Sequence, residues 1–323
     1  MEYNLGLPAV GRAHLWLFAT VALAAGSGVR PASAVVFQDQ AAQSAGLGAG
    51  QTFLNGEARL TISLSGGGAV GCSGNLLAGG AFVLTAAHCL TNSSGTKDAT
   101  SVNLYFGNTG LDVTSTNYFV DPTWNGTIAG GGDLALIKLG APISSIAGYQ
   151  LDTSSSAVGD VVTLAGYGFT GVGSTGSVSG TFGTLRYGRN SYDTVYSNAP
   201  WVYAYDFDKY GTSSYNVFGG NAVGTDEAIV APGDSGGGSF IYTGGIWQLV
   251  GVHEFIGCVQ SNCTPNSSFG QIAGDTSVYA YQSWLSSVLT PVPEPATWAL
   301  LGAGFAGLGA ASRRFGAKSR TAA

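Results

Sequence analysis

Three short stretches of this chain hold the side chains able to do chemistry. Gly233-Asp234-Ser235-Gly236-Gly237-Gly238 sets one hydroxyl among glycines, and residues without a Cβ let backbone N–H groups crowd around it. Two N–H groups aimed at one point make an oxyanion hole, which stabilises the charge that develops during acyl transfer. A hydroxyl is a weak nucleophile and needs a base. Beyond residue 34 the chain holds two histidines, His88 and His253, the side-chain type suited to accept a proton near neutrality. His88 ends the apolar run Val83-Leu84-Thr85-Ala86-Ala87-His88-Cys89, and Asp133 opens Asp133-Leu134-Ala135-Leu136-Ile137-Lys138-Leu139. An acid buried beside an imidazole holds its tautomer and stabilises the imidazolium. Each stretch alone has a plainer reading. Gly makes up 52 of 323 residues, a lone histidine is usually structural, and an aspartate before a strand is a common turn former.

The elements that must position these residues read as β-structure. Short runs, Leu60–Leu64, Ala81–Thr85, Val102–Phe106, Leu134–Leu139, Val161–Ala165 and Trp247–Val252, alternate with Gly, Asn, Asp and Ser clusters. That spacing predicts an all-β barrel or sandwich. Neither a βαβ alternation nor a repeat of fixed period is present. Residues 35–52 are Ala-, Gly- and Gln-rich and are expected to lack regular structure. Residues 170–225 are expected to form long surface loops with short strands. Val278, Tyr281, Trp284, Leu285 and Val288 fall at helical spacing and predict a helix near the end.

Composition narrows the class. Apolar residues are 45% of the chain and charged ones 9%, enough for a large core and too few charges for a nucleic-acid binder. Residues 35–290 carry six Lys/Arg against sixteen Asp/Glu, a net of −10, which disfavours phosphate backbones and anionic membranes as partners. Arg12, the apolar Leu15–Ala25 run and Ala32-Ser33-Ala34 form a secretory signal over residues 1–34, with cleavage before Val35. Four cysteines in an exported chain imply two disulfides, with three pairings open. With two histidines and bridged cysteines few metal ligands remain. Asp206 and Asp208 are read as a solvated loop rather than a calcium site, and neither a metal nor a cofactor is expected.

The three stretches together resemble the catalytic motifs of the trypsin/chymotrypsin-like serine proteases, in that family's chain order. Ala165-Gly166-Tyr167-Gly168 is similar to its Gly-Trp-Gly segment, and Ser277-Val278-Tyr279 through Trp284-Leu285 to the run into its C-terminal helix. The resemblance covers residues 53–289 and implies two antiparallel six-stranded β-barrels, with a His88–Asp133–Ser235 triad in the cleft between them. It also implies a Cys72–Cys89 disulfide. The family's cysteine ahead of the serine is missing, since Ala231 and Pro232 stand there, which leaves Cys258 with Cys263. In the family a new N-terminus, freed after Lys or Arg, pairs with the Asp before the serine. No Lys or Arg lies between Val35 and Gly56, and Phe53-Leu54-Asn55-Gly56 resembles the mature start only faintly. The neutralisation of Asp234 is therefore open. Residues 290–323, with Pro293-Glu294-Pro295, apolar Ala296–Ser312 and Arg313-Arg314, resemble the PEP-CTERM sorting signal of Gram-negative bacteria. That resemblance implies processing by an exosortase after transient residence of the tail in the membrane, and delivery to the cell surface or exopolysaccharide. A plain C-terminal anchor is the alternative.

The reading is an exported serine endopeptidase acting on proteins or peptides, with signal peptidase and exosortase as processing enzymes. Family position places the specificity pocket at Ile229 and along Val252–Gly257, with His253, Phe255 and Ile256. Apolar Ile229 argues against a Lys or Arg side chain there and for small or medium apolar residues before the cut. His253 admits a glutamate-specific role, weighed against a structural pairing with Glu254. Two other functions compete. A non-catalytic binding protein on the same fold would keep the architecture, and an α/β-hydrolase esterase would share Gly-x-Ser-x-Gly but needs acid then histidine after the serine.

Overall fold

The computed structural model describes residues 21–22, 35–196, 202–259 and 263–290. Residues 1–20, 23–34 and 291–323, and with them most of the signal segment and the whole Pro-Glu-Pro tail, lie outside the described residues. No helix among the described residues is long and apolar enough to cross a membrane.

Two eight-stranded sheets carry the core. In the first, Glu57–Leu64 sits between Ala69–Leu76 and Ala99–Phe106, all antiparallel. Ala69–Leu76 leads through Phe82–Thr85 to Ala135–Lys138 and Asn117–Val120. The six strands expected become eight for simple reasons. One strand bends at Thr116 and divides into Leu111–Ser115 and Asn117–Val120, and Val21–Ala22 pairs with Val70 and Gly71. The second sheet runs Arg186–Ser191, Val161–Gly166, Gly238–Thr243, Ile246–Gly257, Ile272–Ser277 and Val202–Asp206. Here Thr194–Val195 continues Arg186–Ser191 past Tyr192 and Asp193, and Gln150–Leu151 adds a short parallel edge. Leu60, Ile62, Leu104, Val83 and Leu136 are buried in one half, and Leu164, Phe240, Leu249 and Phe255 in the other. The helix expected near the end is a 3-10 turn, Tyr279–Tyr281, followed by Gln282–Leu289.

Two expectations change. The 35–52 stretch is built of regular elements: strand Val35–Phe37, helix Gln40–Ala45 and 3-10 turn Thr52–Leu54. Val35, Val36 and Phe37 are buried, in a four-stranded sheet with Thr170–Val172, Gly176–Val178 and Ala228–Ile229. The small residues mislead because burial here comes from only three apolar side chains and a pairing across distant sequence. Asp206 and Asp208 are likewise buried rather than solvated. Asp206 accepts N–H bonds from Val217 and Phe218, and Asp208 accepts from Asn216.

Candidate active site

Strand Phe82–Thr85 runs straight into the 3-10 turn Ala87–Cys89, which carries His88. The disulfide Cys72–Cys89 ties that turn to the Ala69–Leu76 strand. Asp133 stands just before Ala135–Lys138, the strand paired with Phe82–Thr85, so the ladder delivers both residues to one end of the sheet. Asp133 grips the histidine twice. Its Oδ2 lies 2.6 Å from His88 Nδ1 and its Oδ1 accepts the His88 backbone N–H at 2.7 Å. Asp133 is fully buried, where an unpaired charge would be costly.

The serine loop arrives from the second sheet and is held by the first. Ser73 N donates to Ser235 O at 2.8 Å, Ser73 Oγ to Gly233 O at 3.1 Å, and Asn75 Nδ2 to Gly236 O at 2.8 Å. Cys89 Sγ lies 3.6 Å from Ser235 O, so the loop rests on the His88 turn. Gly236 must be glycine. Its φ is +81°, and a Cβ there would collide with Thr85 Oγ1 and the Ser73 carbonyl.

The N–H directions around Ser235 follow from peptide planarity, which points N–H and C=O of one unit opposite ways. Pro232 O accepts from Phe169 N and Asp234 O from Gly237 N. The N–H groups on the far side of those two peptides belong to Gly233 and Ser235. The neighbouring N–H groups are committed elsewhere, Asp234 N to Ala231 O and Gly236 N to His253 O.

Asp234 is fully buried beneath this loop. Gly168 N donates to its Oδ1 at 2.8 Å, and Ala231 N and Val35 N donate to its Oδ2 at 2.9 and 3.2 Å. A Cβ on Gly166 or Gly168 would strike the same carboxyl, which explains both glycines of Ala165-Gly166-Tyr167-Gly168. Burial pushes the Asp234 carboxyl up to about 6, against the pull of His253 and the three N–H donors. Phe53-Leu54-Asn55-Gly56 plays no part at Asp234. Thr52–Leu54 forms the 3-10 turn, with Phe53 stacked on Trp247 at 4.3 Å.

The pocket residues expected from family position do not converge on a substrate. His253 is sealed, with Nδ1 2.9 Å from Asp275 Oδ1 and Nε2 3.2 Å from Ala165 O. Its partner is Asp275 and not Glu254, because Asp275 lies directly opposite it on the neighbouring strand while Glu254 is the extra residue of a bulge between His253 and Phe255. Ile229 pairs with Val36 inside the small sheet, Phe255 packs on Tyr196 at 5.1 Å, and Ile256 is almost fully buried. A groove of ≈ 190 Å³ does touch His88, lined by Leu64, Val70, Cys89, Asp98 and Trp124 among others. Glu254, which the sequence presents only as a neighbour of His253, faces the other way. Its Oε1 accepts from Ala129 N at 2.6 Å and its Oε2 from Thr276 Oγ1 at 2.9 Å. Burial first and the charge of Asp133 second push its carboxyl up to about 8.

Residues 48–285 match the family model described as Trypsin. The chain belongs to the trypsin family. Residues 291–314 match the PEP-CTERM protein-sorting motif. No curated protein sequence shows significant similarity to the chain. Among solved structures, HL collagenase aligns with a TM-score of 0.54 at 21% identity, over 77% of this chain and 99% of that one. At that identity the likeness is one of fold, and it agrees with a trypsin-family double sheet. The second disulfide, Cys258–Cys263, closes a short local loop.

Proposed function

We propose that this trypsin-family member is an exported serine endopeptidase that hydrolyses proteins or peptides through Ser235, His88 and Asp133. The observation that carries the reading is the doubly anchored His88–Asp133 pair beside a Ser235 loop held by three bonds from one strand. Ser235 Oγ attacks the scissile carbonyl while His88 Nε2 takes its proton. His88 then returns that proton to the leaving amine, and water repeats the cycle on the acyl-enzyme. Asp133 keeps Nδ1–H in place and stabilises the imidazolium without itself being protonated. The N–H groups of Gly233 and Ser235 meet the oxyanion.

Maturation belongs to the same proposal. Cleavage after Ala34 would place an α-amine at Val35, whose nitrogen lies 3.2 Å from Asp234 Oδ2. Val35 has φ 63°, a strained value for a β-branched residue. A residue without a predecessor has no φ to strain, so cleavage relieves the backbone while charging the contact. Export, removal of the Pro-Glu-Pro tail by an exosortase and a non-tryptic preference for small or medium apolar residues complete the reading. The preference is supported by the apolar wall of Leu64, Val70 and Trp124 in the groove beside His88.

A fluorophosphonate probe tests the proposal. Mature protein should be labelled on Ser235 and lose the label in Ser235→Ala. A folded protein that takes no label at any pH would be a binding protein on the same fold.

A further inference from the structure

Behind the serine loop two buried side chains that meet at Gly238 each keep one acceptor without a donor. Glu57 and Asn75 are Cα partners on adjacent antiparallel strands, and directly opposed residues send their side chains to the same face. Both side chains converge on Gly238. Glu57 Oε1 accepts the Gly238 N–H at 3.2 Å, and a Cβ on Gly238 would collide with Asn75 Oδ1. Asn75 Nδ2 is committed to Gly236 O at 2.8 Å and Leu84 O at 3.4 Å. That leaves Glu57 Oε2 and Asn75 Oδ1, both buried, neither with a hydrogen-bond partner among the described residues. A buried acceptor left unsatisfied is costly.

Turning the amide over would supply a donor to Glu57 but would set an oxygen against Gly236 O. A proton on the glutamate satisfies both atoms within the protein itself. We infer that Glu57 is a neutral carboxylic acid whose Oε2–H donates to Asn75 Oδ1, and that the pair positions the Gly236 carbonyl one residue beyond Ser235. Asn75 thus links a carboxyl on one strand to the serine loop, and the proton on Glu57 decides which way the amide points. Glycine at 238 is what lets both groups reach the same spot.

The surroundings favour the neutral form. Burial raises the Glu57 carboxyl well above its ordinary range, the Gly238 N–H opposes that, and the charge of Asp234 adds to it. The other titratable groups near Glu57 are the phenols of Tyr149 and Tyr167, whose own titration it raises. Tyr167 also donates to the Glu57 backbone carbonyl at 3.3 Å.

The link to Ser235 rests on the proposed protease activity, whereas the protonation does not. Infrared difference spectra of wild type minus Glu57→Gln, at neutral pH, should show the C=O band of one protonated carboxylic acid. A carboxylate band in its place overturns the inference whether or not the protein is an enzyme. Glutamine can donate to Asn75 and accept from Gly238, so Glu57→Gln should keep kcat within about twofold of wild type. Asn75→Leu loses the bond to Gly236 O and should lower kcat about tenfold or more with KM unchanged. If Asn75→Leu does not fold, Glu57→Leu strips the donor from the intact amide and should show the same kcat loss. A folded variant of either kind with wild-type kcat removes the positioning role. If wild type itself hydrolyses nothing, the infrared result still stands and the protease reading fails instead.

Discussion

Among the described residues there are two buried His–Asp pairs, and they differ less in geometry than in surroundings. His88 Nδ1 lies 2.6 Å from Asp133, and His253 Nδ1 lies 2.9 Å from Asp275. His253 spends its other nitrogen on the Ala165 carbonyl, inside a shell where Tyr192 and Ser239 also donate to Asp275. Both acceptors around its ring call for N–H, so His253 holds a proton. Burial opposes that charge, and Asp275, at the head of the opposing contributions, outweighs it to raise the ring's titration. His88 instead borders a groove, and its neighbour Cys89 lies against the serine loop. A histidine–carboxylate pair becomes a base when its second nitrogen looks toward a reacting atom. It becomes a cross-link when that nitrogen looks toward a carbonyl.

The sharpest way to break this comparison is to treat both histidines alike. His88→Gln should reduce kcat by about 10⁴–10⁶, the usual effect of losing a triad member, and should lower the melting temperature less than His253→Gln does, because Asp133 keeps the backbone N–H of residue 88. His253→Gln should do the reverse. Removing one partner of a buried pair leaves the other charge uncompensated, at a cost of about 3–5 kcal/mol. Peptide hydrolysis and thermal unfolding, measured on both variants, give the four values. Equal loss of activity from the two would end the distinction.

The same comparison shows what a sequence displays and what it hides. His88, Asp133 and Ser235 stand out in the sequence because each is flanked by neighbours that the proposed catalysis needs: a strand, an apolar run, a row of glycines. His253 reads as a pocket residue because its strand aligns with the family's pocket wall. Alignment says nothing about which face a side chain occupies, and here the face is the interior. Asp275 sits 22 residues from His253 and gives no local sign of being its partner. Val35 is visible as a cleavage product but not as a contact of Asp234, because that contact spans 199 residues. Local motifs are legible in a sequence. Pairings between distant buried polar groups depend on the register of whole sheets.

The two disulfides extend the comparison from charges to cross-links. Cys72–Cys89 spans 17 residues and anchors the His88 turn, whereas Cys258–Cys263 spans 5 and lies far along the chain. In the chain-entropy model the longer loop contributes about 3 kcal/mol and the shorter one less. Replacing Cys72 and Cys89 by serine should therefore lower the denaturation midpoint more than replacing Cys258 and Cys263. Equal midpoints for the two double variants would mean that neither loop length nor the His88 turn sets the difference.

Asp234 offers a third carboxylate, between the two pairs in kind. It receives three backbone N–H bonds and the distant charge of His253 but, in the uncleaved chain, no cation of its own. A protein beginning at Val35 should hydrolyse peptides about tenfold to a hundredfold faster than one retaining Ala34. That range corresponds to one to two pKa units of differential interaction at Asp234. Acetylating the amine of the protein that begins at Val35 should reverse the gain. Equal kcat/KM for all three forms would separate activation from the new N-terminus.

Glu254 has no histidine at all, although it feels the charge of both Asp133 and Asp275. Its remedy is to stay protonated, accepting from Ala129 N and Thr276 Oγ1 as a neutral acid. The sign of its effect on stability follows from its two titrations. Unfolded, the carboxyl loses its proton near pH 4.3; folded, it keeps that proton to about 8. The folded state therefore binds a proton that the unfolded state has released across this window, and stability falls as pH rises through it. Glu254→Gln keeps an acceptor for Ala129 N and does not titrate. The variant should gain on wild type in melting temperature from about pH 4.3 up to about pH 8, with a constant difference above that. A difference that stays flat across the window would show that Glu254 ionises in place. Asp133 would then share its site with a second negative charge, and His88 would answer to two carboxylates, as His253 already does with Asp275 and Asp234.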